Sequence, residues 1–399
     1  MPDALIFPPT RADALDRLNR FAPAAGRAYA EGRNFDPGPE QDGTVSRLSP
    51  YLRRRMISEA EVIAAARCAH GDDGAHKFVQ EVLWRTYWKG WLEMRPSVWS
   101  GFLETCERQR DDLSDHGALA DAEAGRTGLE GFDDWARELA RTGYLHNHAR
   151  MWFASIWIFT LRLPWALGAD FFLRHLLDAD PASNTLSWRW VAGLHTPGKT
   201  YLATRENIAR FTRGRFAPKG LAREAVALPD APPPPPKPPP PAAQRPPPGP
   251  FVLLVTPEDL DPEPGLQDEN QARAVVVADD PGLSSGDLAF RFTQGAARDA
   301  VERLAGRLKG PAGLLPDLSA ERLAAAAHGA GVSRIVTPYA PVGPTAAALA
   351  QLAPALAQEG LEIVQVRRAW DDRLWPHARA GFFAFQKAIP ALPGVETGA

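Results

Sequence analysis

Residues 178 to 190 read DADPASNTLSWRW: two acids two apart, an asparagine four further on, and two tryptophans flanking an arginine. On a helix, side chains two apart point about 200° apart around the axis, so Trp188 and Trp190 face opposite ways and ask for something on each side. Upstream, Ser46, Arg47, Leu48 and Ser49 set hydroxyls, a guanidinium and free backbone N–H groups where a helix begins. That is the equipment for holding a diphosphate, although an ordinary helix cap uses the same residues. Between these stretches Glu81, Trp84, Arg85 and Trp88 fall at i, i+3, i+4 and i+7, one continuous helix face. A core takes the two indoles readily and takes the charges only with partners, whereas a polar, aromatic-lined cavity satisfies all four; both readings stay open. In TGYLHNHARMW, Asn147 and Met151 are i and i+4, and Arg150 needs an anion that Asp178 or Asp180 could supply. His146 and His148 lie on different faces with no further ligands close by, so no metal is expected and His146 reads as a structural histidine.

The elements that must position these residues fall into two kinds. Before residue 230 nearly everything reads helical. Ser58 with Glu61 three on is a capping-box pattern, GAHKFVQEVLWRTYWKGWLEMRP keeps apolar residues at helical spacing until Pro96, and further helices fit 132–142, 144–162, 168–178, 182–192 and 204–213. After residue 250 short β-branched runs, FVLLVT, AVVVAD, RIVTPYAP and LEIVQVR, alternate with helical patterns at 294–309, 319–330 and 344–359. That alternation argues a parallel, doubly wound sheet, and no GxGxxG follows its first strand. Between them lies APPPPPKPPPPAAQRPPPGP, read as a semi-stiff extended spacer. The expected architecture is an all-α domain over 1–227, a proline-rich linker over 228–250, and an α/β domain over 251–399.

Composition narrows the class. The chain has 399 residues, and ten of its 12 tryptophans precede residue 200, so the aromatic excess belongs to the first domain. Charge is near balance, at −3 overall, which gives no general electrostatic case for nucleic acid. The run Arg53, Arg54, Arg55 and the stretch from Lys199 to Arg223 are local exceptions, or else solvated faces. Cys68 and Cys106 are the only cysteines, too few for a thiolate cluster or a disulfide framework, and a reducing cytoplasm is expected. The first residues lack the pattern of an export signal. MWFASIWIFTL stops at Arg162 and is too short to cross a bilayer.

Taken together and in order, the stretches above resemble the flavin-binding helical domain of the DNA photolyase and cryptochrome family. Its signature runs Ser-Arg-Leu-Ser, Glu-x-x-Trp-Arg, Thr-Gly-aromatic-x-His-Asn-x-x-Arg-Met and Asp-x-Asp-x-x-x-Asn-x-x-x-Trp-x-Trp, and every term is present between residues 46 and 190. The resemblance implies an FAD whose diphosphate is held by Ser46, Arg47, Leu48 and Ser49 with Arg85 nearby. Arg150, Asp178 and Asp180 would meet the polar edge of the flavin, Asn184 would face its N5, and Tyr29 looks like the family's tyrosine ahead of the phosphate turn. Glu81, Trp84, Asn147, Met151 and Trp190 would line the cavity for a cyclobutane pyrimidine dimer flipped from DNA. Trp188 would be the proximal electron carrier and Trp165 the second, while no tryptophan stands where the outer one is expected.

The chain departs from the pattern at Val45, Thr86, Tyr144 and His148. The α/β part loosely resembles the family's antenna domain, which normally comes first, so a circularly permuted order is inferred; the antenna chromophore cannot be read. The implied activity is light-driven electron donation from reduced FAD to a pyrimidine dimer, that of a photolyase-like lyase acting on dimer-containing DNA. The alternatives are a cryptochrome-like blue-light photoreceptor with a protein partner and a non-catalytic interaction scaffold.

Overall fold

A computed structural model describes residues 7–41 and 43–394; part of the stretch read for an export signal, residues 1–6, lies outside them. The helical part comprises α1 (Arg11–Phe21), α2 (Arg27–Gly32), α3 (Ser49–Arg53), α4 (Glu59–Glu93), α5 (Ser97–Asp111), α6 (His116–Glu123), α7 (Phe132–Thr142), α8 (Asn147–Ser155), α9 (Trp165–His175), α10 (Pro181–Val191) and α11 (Arg205–Phe211). The α/β part comprises β1 (Phe251–Val255), β2 (Ala272–Ala278), α12 (Asp287–Ala305), β3 (Ala312–Leu315), α13 (Ala320–Gly329), β4 (Arg334–Pro338), α14 (Pro344–Gln358), β5 (Glu362–Val366), α15 (Ala369–Leu374) and α16 (Phe382–Ala388).

The helix α4 organises the molecule. Ser58 caps it reciprocally: its Oγ accepts from Glu61 N at 3.2 Å, and the Glu61 carboxylate accepts from Ser58 N at 2.7 Å. Gly71, at φ 67°, breaks the helix into two arms, a conformation that costs glycine little. From Phe78 to Glu93 the second arm is buried on nearly every side, because α1, α2, α10, α15 and α16 all pack on it. Near its end Gly90 leaves no room for a side chain: a Cβ would lie 2.8 Å from Trp375 Cα. The segment read as one helix over 144–162 divides instead, α8 running into a π turn at Ile156–Thr160 before Arg162 turns the chain at φ 56°.

The five strands are all parallel in the order β3-β2-β1-β4-β5, with β1 paired to both β2 and β4. This is the doubly wound arrangement expected from the alternation of patterns. The strand β3, AGLL, escapes a sequence reading because it is four residues long and contains glycine.

The proline-rich stretch, read as a semi-stiff extended spacer, does not stand free of the protein but lies along it as a strap. Lys237 N donates to Met94 O at 2.9 Å, Arg95 Nε to Pro234 O at 2.9 Å, and Ala243 exchanges backbone hydrogen bonds with Gln365 O at 3.1 Å and Arg367 N at 2.8 Å. Prolines supply no donors, so the few other residues in the stretch make the ladder contacts. The run Arg53, Arg54, Arg55 is not a solvated face either; all three side chains are buried. The α/β part supplies the partners. Arg53 meets Glu258 in a double contact of 2.5 and 2.8 Å, and Arg55 meets Asp371 at 2.7 Å. Trp370 Nε1 adds a hydrogen bond to Thr86 Oγ1 at 3.0 Å.

The Arg53–Glu258 pair gives a testable consequence. Burial opposes ionisation of Glu258, but Arg53 outweighs it and holds the carboxyl below its ordinary range. A carboxyl depressed in the fold stabilises above its unfolded pKa, roughly 4.3, and loses that contribution as pH falls through the folded value. Arg53→Leu strands the carboxylate and should cost about 3–5 kcal/mol in urea denaturation at neutral pH. The gap to wild type should narrow below about pH 4.

Candidate functional site

The turn Ser46–Ser49 and the acids after Leu177 come together, as the sequence reading requires. Leu48 is buried and anchors the turn, while Arg47 takes φ 51° and donates from its guanidinium to Gln41 O at 2.9 Å. Ser46 Oγ accepts from Leu48 N at 3.4 Å. Ser49 Oγ is buried beside Asp178 and, among the described residues, makes no hydrogen bond of good geometry; Thr44 Oγ1 is buried in the same condition. A buried hydroxyl without a partner carries a desolvation cost that a bound acceptor or donor removes.

Opposite the turn, Asp180 caps α10 by accepting from Ala182 N at 3.1 Å, with Pro181 preset for the first helical position. Its other oxygen takes Arg85 at 2.5 Å. Asp178 receives Arg150 at 3.5 Å and Arg85 at 3.6 Å. Burial works against both carboxylates, yet Arg150 and Arg85 hold Asp178 below its ordinary range, and Arg85, Arg53 and Lys89 hold Asp180 well below it. Tyr144, where the family writes tryptophan, lies between Arg47 and Arg150, whose guanidinium carbons stand 5.5 and 5.8 Å from its ring centre. Hydroxyls, guanidiniums and ionised carboxylates at one junction suit a diphosphate and a ring edge that bears both donors and acceptors.

The helix α10 sends its tryptophans opposite ways. Trp188 is buried against Phe172 (5.1 Å), Trp157 (6.2 Å) and Phe153 (6.5 Å). Trp190 is half-buried and stacks on Tyr201 at 5.8 Å. Asn184 donates its side-chain amide to Ala169 O at 2.8 Å. Trp165 packs on Phe102 at 5.8 Å beneath Arg189, and Trp157 is an indole in edge contact with Trp188.

The residues assigned to substrate are engaged otherwise. Trp84 is stacked face to face by Phe382 of α16, ring centres 3.8 Å apart and planes 7° from parallel. Glu81 receives Arg33 at 2.5 Å, and burial pushes its carboxyl up against the opposing pull of that arginine. Asn147 opens α8 at an exposed position and Met151 is half-buried one turn later. Tyr29 is buried edge-on to Phe21 and Phe78, at 5.9 and 5.2 Å. Trp84 packs with the core around α4 and Trp190 with the one around α9.

His148 uses both ring nitrogens within the protein and His146 its Nδ1, while His146 Nε2 is buried without a hydrogen-bond partner among the described residues. His146 Nδ1 accepts from His148 N at 3.2 Å, and His148 contacts Asn34 O at 2.9 Å and Tyr201 Oη at 3.3 Å. Sequence reasoning missed Arg33, Phe382, Lys89 and Glu258. The apolar run GFFAFQKAI could have pointed to α16, whereas the charged partners lie too far along the chain for any local pattern.

Trp188 rests on Gly168, where a Cβ would come 2.4 Å from the indole Cη2. Gly168→Ala must displace that ring. It should cost about 1–3 kcal/mol and change the near-ultraviolet circular dichroism, while a substitution at Gly101, which has open space, should change neither.

Residues 78–214 match the family described as the FAD binding domain of DNA photolyase. A deoxyribodipyrimidine photo-lyase of Streptomyces griseus is 40% identical over 153 residues, 38% of this chain and 33% of the relative. One of Agrobacterium fabrum is 34% identical over 195 residues, 47% of this chain and 39% of the relative. A solved bacterial class III photolyase from Agrobacterium tumefaciens is 30% identical with a TM-score of 0.44, covering 52% of this chain and 43% of that one. The chain thus spans well under half the length of these relatives. Within its helical part, residues 78–214 are thus similar to the FAD binding domain of DNA photolyase.

Proposed function

We propose that this protein binds FAD between the Ser46–Ser49 turn and the Asp178–Asp180 acids and works by light-driven electron transfer. The observation that carries the reading is the convergence of Arg85 and Arg150 on the ionised Asp178 and Asp180 beside the buried Ser49 hydroxyl. FAD, when bound, would supply a light-absorbing one-electron donor and acceptor. The chain's own residues do the rest. Ser46, Arg47 and Ser49 hold the phosphates. Arg150 and Asp178 orient the polar ring edge, and Asn184 is fixed by its hydrogen bond to Ala169. Trp188 and Trp157, in edge contact inside a dry aromatic core, offer a route for an electron towards the interior of the helical domain.

Of the two outputs open to such a protein, repair of pyrimidine dimers in DNA needs a free face on Trp84. The stack with Phe382 and the engagement of Glu81 by Arg33 therefore favour a resting protein of photoreceptor type over a constitutive repair enzyme. The permuted domain order, with residues 1–227 ahead of the proline-rich strap and 251–399, belongs to the same proposal.

Purified protein should be yellow and hold FAD at one per chain; a colourless preparation that takes up no FAD defeats the cofactor assignment. Arg150→Leu leaves Asp178 to Arg85 alone and should weaken FAD retention at least about tenfold, 1.4 kcal/mol, by equilibrium dialysis. Under blue light the unmodified chain should leave dimers in an oligonucleotide intact, and rapid repair would assign it to the enzymes instead.

A further inference from the structure

We infer that Phe382 is a built-in occupant of the slot on Trp84, an autoinhibitory plug that a nucleobase must displace. The inference rests on the family reading above for the identity of the competitor. The slot has two aromatic walls: the face of Trp84, 3.8 Å from the Phe382 ring at 7°, and the edge of Tyr87, 5.7 Å away at 83°. Such walls take any flat ring, because every base has a π face.

The segment that delivers Phe382 is lightly attached. The helix α16 has seven residues, follows Gly381 without a side-chain cap, and lies near the end of the described chain. Three hydrogen bonds tie it to α4 and the residue after its end: Tyr87 Oη to Ala380 O at 2.8 Å, Gln80 Nε2 to Gln386 Oε1 at 3.0 Å, and Arg95 to Arg379 O at 2.7 Å. Phe385 adds a buried contact at 5.6 Å from the Tyr87 ring, whereas the neighbouring Phe383 is 67% exposed. A seven-residue element anchored by two buried rings can open locally without global unfolding. Opening bares Trp84 one helical turn from Glu81, whose carboxylate stays paired with Arg33 on the same helix face.

The test uses full-length protein and a single-stranded oligonucleotide carrying one thymine dimer, with affinity read by fluorescence anisotropy. Phe382→Ala should bind at least about fivefold tighter than wild type, and Phe382→Trp, which keeps a ring in the slot, should bind like wild type. Gln386→Ala, which breaks the bond to Gln80 without adding charge, should also tighten binding and leaves the aromatic residues intact should Phe382→Ala not fold. Equal affinity in wild type, Phe382→Ala and Gln386→Ala overturns the plug, as does tightening by Phe382→Trp. FAD content is measured on the same samples: its absence from wild type refutes the cofactor assignment alone, since ring stacking on Trp84 needs no flavin.

Discussion

The molecule depends on pairing charge in a dry interior. A lone ion there is costly, so the paired guanidiniums and carboxylates dictate where their partners must stand, while Arg54, buried beside Arg53, has its pKa pushed down to about 9. Arg53 and Arg55 reach into the α/β part for Glu258 and Asp371, and Arg85 reaches across the helical part for Asp180 and Asp178. One web therefore fixes both the seating of the second domain and the shape of the candidate cofactor junction. Asp180 belongs to both, since Arg85, Arg53 and Lys89 all act on it. Arg55 shows how strongly the web binds: it holds φ 47°, a backbone conformation that non-glycine residues avoid, and stays there under contact with Asp371.

Much of the fold was legible because its signals are local. The capping box at Ser58, the stop before Pro96, and the switch from helical spacing to short β-branched runs each depend on neighbours within a few residues. The meeting of Ser49 with Asp178 was legible for another reason, since the ordered set of motifs carries spatial information that no single motif has. What escaped is non-local. Arg53 and Glu258 are 205 positions apart, and Trp84 and Phe382 almost three hundred. Nothing in LRRRM states that the three cations are inside, because an arginine run on a surface looks the same.

The opening pattern of two tryptophans two apart has a physical resolution. Trp188 faces a core of rings and a glycine shaved to admit it, while Trp190 faces Tyr201 at a half-buried rim. One helix thus sets one indole deep in the aromatic core and the other at its rim. The helix α4 also turns two ways, with Arg85 turned to the acids and Trp84 to α16. Aromatic residues suit this because they bury large area while tolerating varied ring geometries.

The strap across β5 has a consequence for how the sheet ends. An edge strand offers a row of unmatched amides to any passing chain. Here Ala243 bridges the end of the row at Val366, and the prolines at 238–241 and 246–248 on either side present no N–H of their own to a further strand. Lateral growth of the sheet therefore terminates on that side. The opposite margin, β3, has only four residues and an exposed Leu314, so any unwanted strand-to-strand association between molecules would begin there.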